Sequence, residues 1–148
     1  MKAVVQRVSQ AQVDIRGETI GKINQGFLIL LGVADSDTDK DLDYLVRKIT
    51  NLRVFEDADG KMNLSLSDVN GALLVVSQFT LFANTKKGNR PSFIEAGAPD
   101  FSKAMYMKFI SRCKDLGFQT EHGEFGADMQ VSLTNDGPVT ILFDTATV

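Results

Sequence analysis

The sequence has no tryptophan, one cysteine (Cys113) and one histidine (His122) among its 148 residues. A single cysteine excludes an internal disulfide and any metal site built from several thiolates. A single histidine excludes most zinc sites and leaves one candidate for a histidine-based catalytic triad. The chain therefore has few of the side chains on which conventional catalysis depends.

Long hydrophobic runs are also absent. The longest apolar stretches, residues 27–31 and 72–76, are far shorter than the roughly 20 residues that a membrane-spanning helix needs. Residues 1–7 lack the apolar centre and the small-residue cleavage site of a signal peptide. We therefore expect a soluble, cytoplasmic protein that does not associate with a membrane.

Neither sign of charge is in large excess. The 16 Lys and Arg residues face 19 Asp and Glu residues, which gives a formal net charge of −3. This balance argues against non-specific coating of nucleic acid, although it permits a local basic patch. Hydrophobic residues make up 43% of the chain, so it can bury a core, and its length suits one domain spanning residues 1–148.

Hydrophobic periodicity predicts an α+β domain. Apolar alternation or continuous apolar runs predict strands at 3–15, 19–23, 27–33, 53–55, 73–82, 129–134 and 139–143. Helical spacing predicts two helices, with the stripes Leu42, Leu45, Val46, Ile49, Leu52 and Phe101, Met105, Phe109, Cys113, Leu116. Because no helix separates the first three strands, we expect a mostly antiparallel sheet rather than a doubly wound parallel one.

The histidine, the cysteine and the acidic cluster do not form a pattern that predicts catalysis or metal binding. His122 lies in a polar stretch, which is typical of a surface histidine, and Cys113 lies on an apolar helical face, which is typical of a core thiol. The alternating acidic residues at 35–43 resemble a calcium loop, but Lys40 and Val46 occupy the positions that require Gly and Glu. A helix N-cap with an acidic first turn explains them better. We therefore predict no metal site and no cofactor, since phosphate and dinucleotide motifs are absent as well.

The segment Ser77–Phe82 places hydroxyl and amide groups at the end of an apolar strand. Such groups are costly to bury without partners. One interpretation is an alternating strand with its polar side towards solvent. The other is a strand end whose hydroxyls and backbone N–H groups line a pocket and receive an anionic intermediate.

The segment Asn135–Thr140 also has two interpretations. Its Asn, Asp and Gly residues suit a hairpin turn between two strands. Alternatively, the Gly137-Pro138 bond is cis, as about 5–6% of X–Pro bonds are. A cis bond would turn both carbonyls the same way and form a rigid pair of acceptors.

Together these two segments closely resemble the two signature motifs of the D-aminoacyl-tRNA deacylases, also called the D-tyrosyl-tRNA(Tyr) deacylase family. The resemblance extends along nearly the whole chain and includes residues 5–8, 30–33, 60–64 and 88–93. Phe82 and Asn84 depart from the family pattern, and neither position lies at the reacting centre.

The resemblance implies a barrel-like core of mostly antiparallel sheet with two packed helices. It also implies a homodimer with its active sites at the subunit interface. Family members hydrolyse the ester that joins a D-amino acid, or mischarged glycine, to the terminal adenosine of tRNA. The expected partners are thus D-aminoacyl-tRNA, glycyl-tRNA and a second copy of the chain.

Gly137 and Pro138 match the family's cis Gly-Pro pair, which enters the partner subunit's pocket. Its carbonyls fix the substrate's α-amino group, and its bulk excludes an L side chain while a D side chain points towards solvent. Arg7 matches the arginine that supports this pair. From the residues alone, Arg7 is also compatible with a half-exposed position at a sheet edge.

The first motif is expected to carry the chemistry. The Phe79 N–H matches the oxyanion donor, and Ser77, Gln78 and Thr80 match residues that line the adenosine and the ester. An aminoacyl ester is already activated, so we expect attack by water assisted by the tRNA 2′-hydroxyl. Thr80 as a covalent nucleophile is the alternative, although no activating base lies beside it in the sequence.

Further residues are expected around the substrate. Phe125 and Met129 match pocket walls near the terminal adenosine, although Met129 is equally suited to a core position. Lys86, Lys87 and Arg90 form the densest basic cluster and are candidates for contact with tRNA phosphates, or else for a solvated loop. A non-catalytic module that binds the tRNA 3′ end is the alternative function.

Overall fold

Eight strands and two helices form the regular structure of the protein, for which the computed structural model describes residues 1–148. The strands are β1 (Lys2–Ile15), β2 (Glu18–Ile23), β3 (Gly26–Gly32), β4 (Phe55–Glu56), β5 (Met62–Leu64), β6 (Ala72–Ser77), β7 (Thr120–His122) and β8 (Gln130–Asp144). The helices are α1 (Asp39–Thr50) and α2 (Pro99–Asp115), and 3₁₀ turns cover Phe79–Phe82 and Thr145–Thr147. The predicted α+β class is confirmed.

The long strand β1 organises the sheet. Along one edge its first half pairs with β3 and its second half pairs with β2, while β8 runs antiparallel along the other edge. β6 and β7 extend the sheet beyond β3 through parallel pairing, so the sheet is mostly but not wholly antiparallel. Gly21 of β2 packs against the His122 carbonyl of β7, where an added Cβ would lie 2.8 Å from the oxygen. This contact nearly closes the sheet into the expected barrel-like form.

The core has two parts, one on each face of β3. Phe27 and Ile29 face the larger cluster of 22 buried residues, which includes the apolar faces of both helices. Leu28 faces a cluster of eight residues enclosed by the curled sheet. Burial on both faces explains why β3 is an almost continuous apolar run rather than an alternating one.

Both helices occur where the apolar spacing predicts them. In α1 the capping box is present, since the Thr38 N–H donates to the Asp41 carboxylate at 2.8 Å, so the N-cap interpretation is confirmed. In α2 the predicted stripe is correct at its centre but wrong at its ends. Phe101 and Leu116 are partly exposed, and Ser102 is buried instead. No helix in the structure is long and apolar enough to cross a bilayer.

Strand predictions fail at the end of β6 and at two short strands. A strand was expected over 73–82, but β6 stops at Ser77 and the chain turns into the 3₁₀ segment. The last ladder bond runs from the Gln78 N–H to the Leu31 carbonyl at 2.8 Å, and β3 ends at Gly32. Without a neighbouring strand to pair with, the backbone folds back on itself. β5 and β7 were not predicted, because three residues carry too little periodicity.

The hairpin interpretation of Asn135–Pro138 is wrong. β8 continues through this segment, and both of its halves pair with β1, with Asn135 opposite Val8 and Thr140 opposite Gln6. The chain therefore does not reverse. Instead residues 136–139, the Gly-Pro loop, bulge from the strand, and the Gly137-Pro138 bond within them is cis.

Candidate active site

A cavity of about 400 Å³ lies where β6 ends beside the first turn of α2. Its volume is within the range of small-molecule sites, and its wall is mainly apolar with a few polar groups. The lining residues with polar or aromatic side chains are Ser77, Gln78, Phe79, Phe93, Ser102, Tyr106 and Phe125. Four residues expected at the substrate therefore lie together: Ser77, Gln78, Phe79 and Phe125.

The turn after β6 leaves backbone donors free at this wall. Phe79 is the first residue of the 3₁₀ segment, and the first N–H groups of a helical segment have no acceptor within it. The turn's own hydrogen bonds begin at Leu81, whose N–H donates to the Gln78 carbonyl at 3.2 Å. The Phe79 N–H thus has no acceptor within the turn, and Phe79 itself lines the cavity.

Thr80 lies next to the cavity rather than in its lining, and its side chain is exposed. Its hydroxyl accepts a hydrogen bond from the Gln78 amide. An amide N–H₂ group cannot take a proton from a hydroxyl, so this contact does not activate Thr80 as a nucleophile. His122 lies elsewhere: it is half-buried against the Tyr106 ring, and its Nδ1 is 2.6 Å from the Gly123 carbonyl oxygen.

Aromatic rings give the cavity its apolar walls. The rings of Phe79 and Phe93 meet edge to face with centroids 5.1 Å apart, and those of Tyr106 and Phe125 lie 5.9 Å apart. The Tyr106 hydroxyl donates to the Val75 carbonyl at 2.9 Å, and burial raises the pKa of Tyr106. Tyr106 therefore stays protonated and holds the helix against the sheet.

Arg7 anchors the Gly-Pro loop from below. It is only 5% exposed, so it is not a half-exposed edge residue. Its Nε donates to the Asp136 carbonyl at 2.9 Å, and its Nη1 donates to the Val54 carbonyl. The Asn135 side chain closes the base of the loop by accepting the Val139 N–H at 2.7 Å. A buried guanidinium thus fixes the position of an exposed loop.

The Gly-Pro loop and the cavity are apart within one chain. Ser77 lies level with Ala3 of β1, whereas the loop leaves β8 between the partners of Gln6 and Val8. Four residues along a strand correspond to about 13 Å, and three strand spacings across the sheet add about 14 Å. Gly137 and Pro138 are exposed and line no part of their own chain's cavity.

Met129 and the basic cluster also lie outside the cavity lining. Met129 packs against the smaller core cluster, with its sulfur beside Gly123. Lys86, Lys87 and Arg90 are exposed on a loop closed by the Asn84–Ser92 bridge, and none of them takes part in an ion pair. Their charges are therefore free to meet an anionic partner.

Among the seven polar or aromatic residues of the cavity wall, the sequence did not predict three: Phe93, Ser102 and Tyr106. Phe93 belongs to the matching segment 88–93 but carries no signal of its own, and Tyr106 lies beside the predicted helical stripe. Ser102 had no signal beyond its position three residues before Met105. A polar residue at a buried helical position is visible only once the helix is placed.

Comparisons with known proteins agree with the motifs. A family model described as D-Tyr-tRNA(Tyr) deacylase matches residues 4–144. A D-aminoacyl-tRNA deacylase of Thermosipho africanus (strain TCF52B) is 55% identical over 148 residues, which cover 100% of this chain and 99% of that one.

Solved structures share the fold. One described as "c-Myc DNA Unwinding Element Binding Protein" has a TM-score of 0.92 and 44% identity, covering 98% of this chain and 99% of that one. A second, described as a probable eukaryotic D-amino acid tRNA deacylase, has a TM-score of 0.82, 17% identity and coverage of 96% and 97%. The family model and the full-length relative show that this chain belongs to the D-Tyr-tRNA(Tyr) deacylase family.

Proposed function

We propose that this chain is a hydrolase that cleaves the ester between a D-amino acid and the terminal adenosine of tRNA, and that it also removes mischarged glycine. Residues 1–148 would act as one deacylase domain. The observation that carries the proposal is the cavity wall formed by Ser77–Phe79, where the first family motif brings polar groups and a free backbone donor to an apolar pocket.

The active unit is proposed to be a homodimer in which the Gly-Pro loop of one subunit enters the cavity of the other. The loop is exposed and lies away from its own chain's cavity, so it is available to a partner. β8, which carries it, pairs with β1 along one edge only, and Leu142 on this strand is 74% exposed. Unpaired edges with apolar side chains invite pairing with another chain, and a second copy would cover this one.

The proposed dimer distinguishes D from L substrates by sterically excluding the L side chain. In the proposed dimer the carbonyls of Gly137 and Pro138 hold the substrate's α-amino group, and the loop occupies the space that an L side chain would need. A D side chain points to solvent, and glycine has no side chain to exclude. The hydrogen bonds that hold the loop, from Arg7 to the Asp136 carbonyl and from the Val139 N–H to the Asn135 side chain, support a rigid barrier of this kind.

Catalysis would rely on position and backbone donors. Water attacks the ester carbonyl with help from the neighbouring ribose 2′-hydroxyl, and the Phe79 N–H stabilises the resulting oxyanion. Collapse of this intermediate breaks the bond to the ribose oxygen, which takes up a proton, and releases the free amino acid. One such oxyanion donor contributes roughly 10²–10³-fold to the rate of acyl transfer. Ser77, Gln78, Phe125 and, in the assembled dimer, Met129 would hold the terminal adenosine and the ester.

The tRNA body is proposed to lie over the basic loop. Lys86, Lys87 and Arg90 are exposed and have no acidic partners, which leaves them available to phosphates. Aminoacyl-tRNA is a cytoplasmic substrate, so the proposed place of action is the cytoplasm.

Turnover tests this proposal against a non-catalytic module that binds the tRNA 3′ end. D-tyrosyl-tRNA is supplied in at least tenfold excess over the protein, and free D-tyrosine is measured over time. An enzyme releases many equivalents of D-tyrosine per subunit. A binding module releases none above the spontaneous rate and prolongs the lifetime of the ester that it holds, which would refute the proposal.

A further inference from the structure

Gly32, the last residue of β3, leaves a gap in the side-chain layer on which the 3₁₀ segment Phe79–Phe82 rests. A Cβ added to Gly32 would lie 3.0 Å from Phe82 Cε2 and 3.1 Å from the Gln78 carbonyl oxygen. Both distances are shorter than an ordinary contact, which begins at about 3.4 Å. Gly32 has no positive φ, so an alanine there would lack space and not a permitted backbone conformation. We call this gap the Gly32 notch.

The Phe82 ring packs in the Gly32 notch. Gly32 pairs with Lys2 of β1, and paired residues of a sheet point to the same face. The Lys2 ammonium lies over the Phe82 ring, 4.8 Å from its centroid, and Phe82 is buried. The last residue of the 3₁₀ segment is therefore held against the end of β3 by a ring that only a glycine leaves room for.

The Gln78 carbonyl also lies at the notch, and it belongs to the same peptide group as the Phe79 N–H. This group is planar and trans, so its C=O and its N–H point in opposite directions. The Gln78 carbonyl also accepts the Leu81 N–H at 3.2 Å, so its oxygen is held between the turn and the notch. An atom placed against this oxygen would tilt the whole group and displace the Phe79 N–H.

We propose that Gly32 positions the Phe79 N–H for the reaction, an inference that rests on the proposed role of this N–H as the oxyanion donor. By lacking a side chain, Gly32 lets the Gln78 carbonyl and the Phe82 ring settle against the end of β3. Gly32 is a positioning residue, since it touches the 3₁₀ segment and neither the substrate nor the reacting atoms. One missing side chain in the sheet thus sets the tilt of the peptide group that faces the intermediate.

The test compares Gly32→Ala with Gly21→Ala. Gly21 also has no positive φ, and a Cβ added there would meet another backbone carbonyl oxygen, that of His122, at 2.8 Å. Both variants overpack a buried contact, so Tm is expected to fall in both. Only Gly32→Ala presses on the segment that carries the Phe79 N–H. The backbone amide resonance of Phe79, followed by NMR, is therefore expected to shift in Gly32→Ala and to stay in place in Gly21→Ala.

Cleavage of D-tyrosyl-tRNA is measured under single-turnover conditions over a range of protein concentrations. The Gln78 oxygen must move by about 0.3 Å to restore an ordinary contact with the new Cβ. Because a misplacement of about 1 Å can cost about 10²-fold, the rate constant at saturating protein falls about threefold to tenfold in Gly32→Ala. The protein concentration at half-maximal rate changes less than about twofold, since the oxyanion contact forms only in the transition state. Gly21→Ala keeps both values at those of the wild type.

Any of three results would overturn the inference: a wild-type rate constant in folded Gly32→Ala, an equal loss of rate in Gly21→Ala, or a loss of rate with an unmoved Phe79 resonance. If Gly32→Ala does not fold, Phe82→Leu withdraws the ring from the notch without adding an atom, and a wild-type rate constant in that variant overturns the inference too. A wild-type protein that cleaves no D-tyrosyl-tRNA would refute the proposed function as well. An active wild type with an unaffected Gly32→Ala refutes this inference alone.

Discussion

Gly137→Ala tests whether the Gly-Pro loop must keep the shape seen in the structure. Gly137 has a φ of +137°, a backbone conformation that residues with a Cβ rarely adopt. A Cβ added there would lie 2.8 Å from Val139 Cγ2 and 3.0 Å from Arg7 Nη2. Val139 is buried and Arg7 is held by two backbone carbonyls, so neither side chain can readily move aside.

The expected destabilisation has two parts. A non-glycine residue in a sparsely populated backbone region costs about 1–3 kcal/mol, and overpacking against fixed neighbours costs about 1–3 kcal/mol more. At about 2–4 °C per kcal/mol for a domain of this size, Tm falls by roughly 4–24 °C if the loop keeps its shape. If the loop shifts outward instead, Tm falls less, and a shift of about 1 Å at a substrate-positioning group costs up to about 10²-fold in rate.

The control for this variant is Gly60→Ala. Gly60 also has a positive φ, +74°, but an added Cβ there meets nothing within 4 Å. It reports the backbone cost alone, at a turn far along the chain from both motifs. The assays are Tm by calorimetry and kcat/KM for D-tyrosyl-tRNA and L-tyrosyl-tRNA. We expect the ratio of D to L cleavage to fall at least tenfold in Gly137→Ala and to be unchanged in Gly60→Ala. Equal Tm values and equal ratios for the two variants would refute the reasoning.

Three further outcomes are expected. Thr80→Val removes the hydroxyl and keeps the shape, so kcat falls less than about tenfold, the effect of one lost hydrogen bond; a loss of about 10⁴-fold or more in single-turnover measurements would identify Thr80 as the nucleophile. Arg7→Lys replaces the branched guanidinium group by a single ammonium group, which cannot reach both the Val54 and Asp136 carbonyls. Chemical denaturation is therefore expected to show a loss of about 1–3 kcal/mol, with weaker rejection of L esters, and wild-type values for both would contradict the role of Arg7. Burial raises the pKa of Cys113 to about 12, so its thiol stays protonated and unreactive at pH 8. Iodoacetamide should label Cys113 only after unfolding, and rapid labelling of the native protein would show that the helix face is open.

Periodicity predicted the main elements because both helices and the long strands bury a regular face. The prediction of a hairpin at Asn135–Pro138 was wrong, because the residues that favour a hairpin turn also favour a bulge. The length of β1 decides between the two. A 14-residue partner gives both halves of β8 a place to pair, so the chain has no need to reverse. The order of the predicted strands along the sequence does not show that both halves of β8 pair with the same strand.

The candidate site was predictable in part. The polar side chains and backbone donors of Ser77–Phe79 predicted one wall of the cavity. The structure brings Phe125 to this wall from a segment more than 40 residues away. The burial of Arg7 depends on the Val54 and Asp136 carbonyls, which lie 82 residues apart in the sequence. Ser102 was not predicted, because the burial of a polar side chain depends on its surroundings rather than on its spacing.

The central claim is that this protein removes D-amino acids from tRNA and spares L-amino acids by exclusion. The most direct measurement follows the release of tyrosine from D-tyrosyl-tRNA and L-tyrosyl-tRNA at matched concentrations of folded protein. The account predicts rapid loss of the D ester while the L ester decays at its spontaneous rate. Equal cleavage of both esters would contradict the role of Gly137 and Pro138 and indicate a general esterase, and cleavage of neither would contradict the enzyme itself.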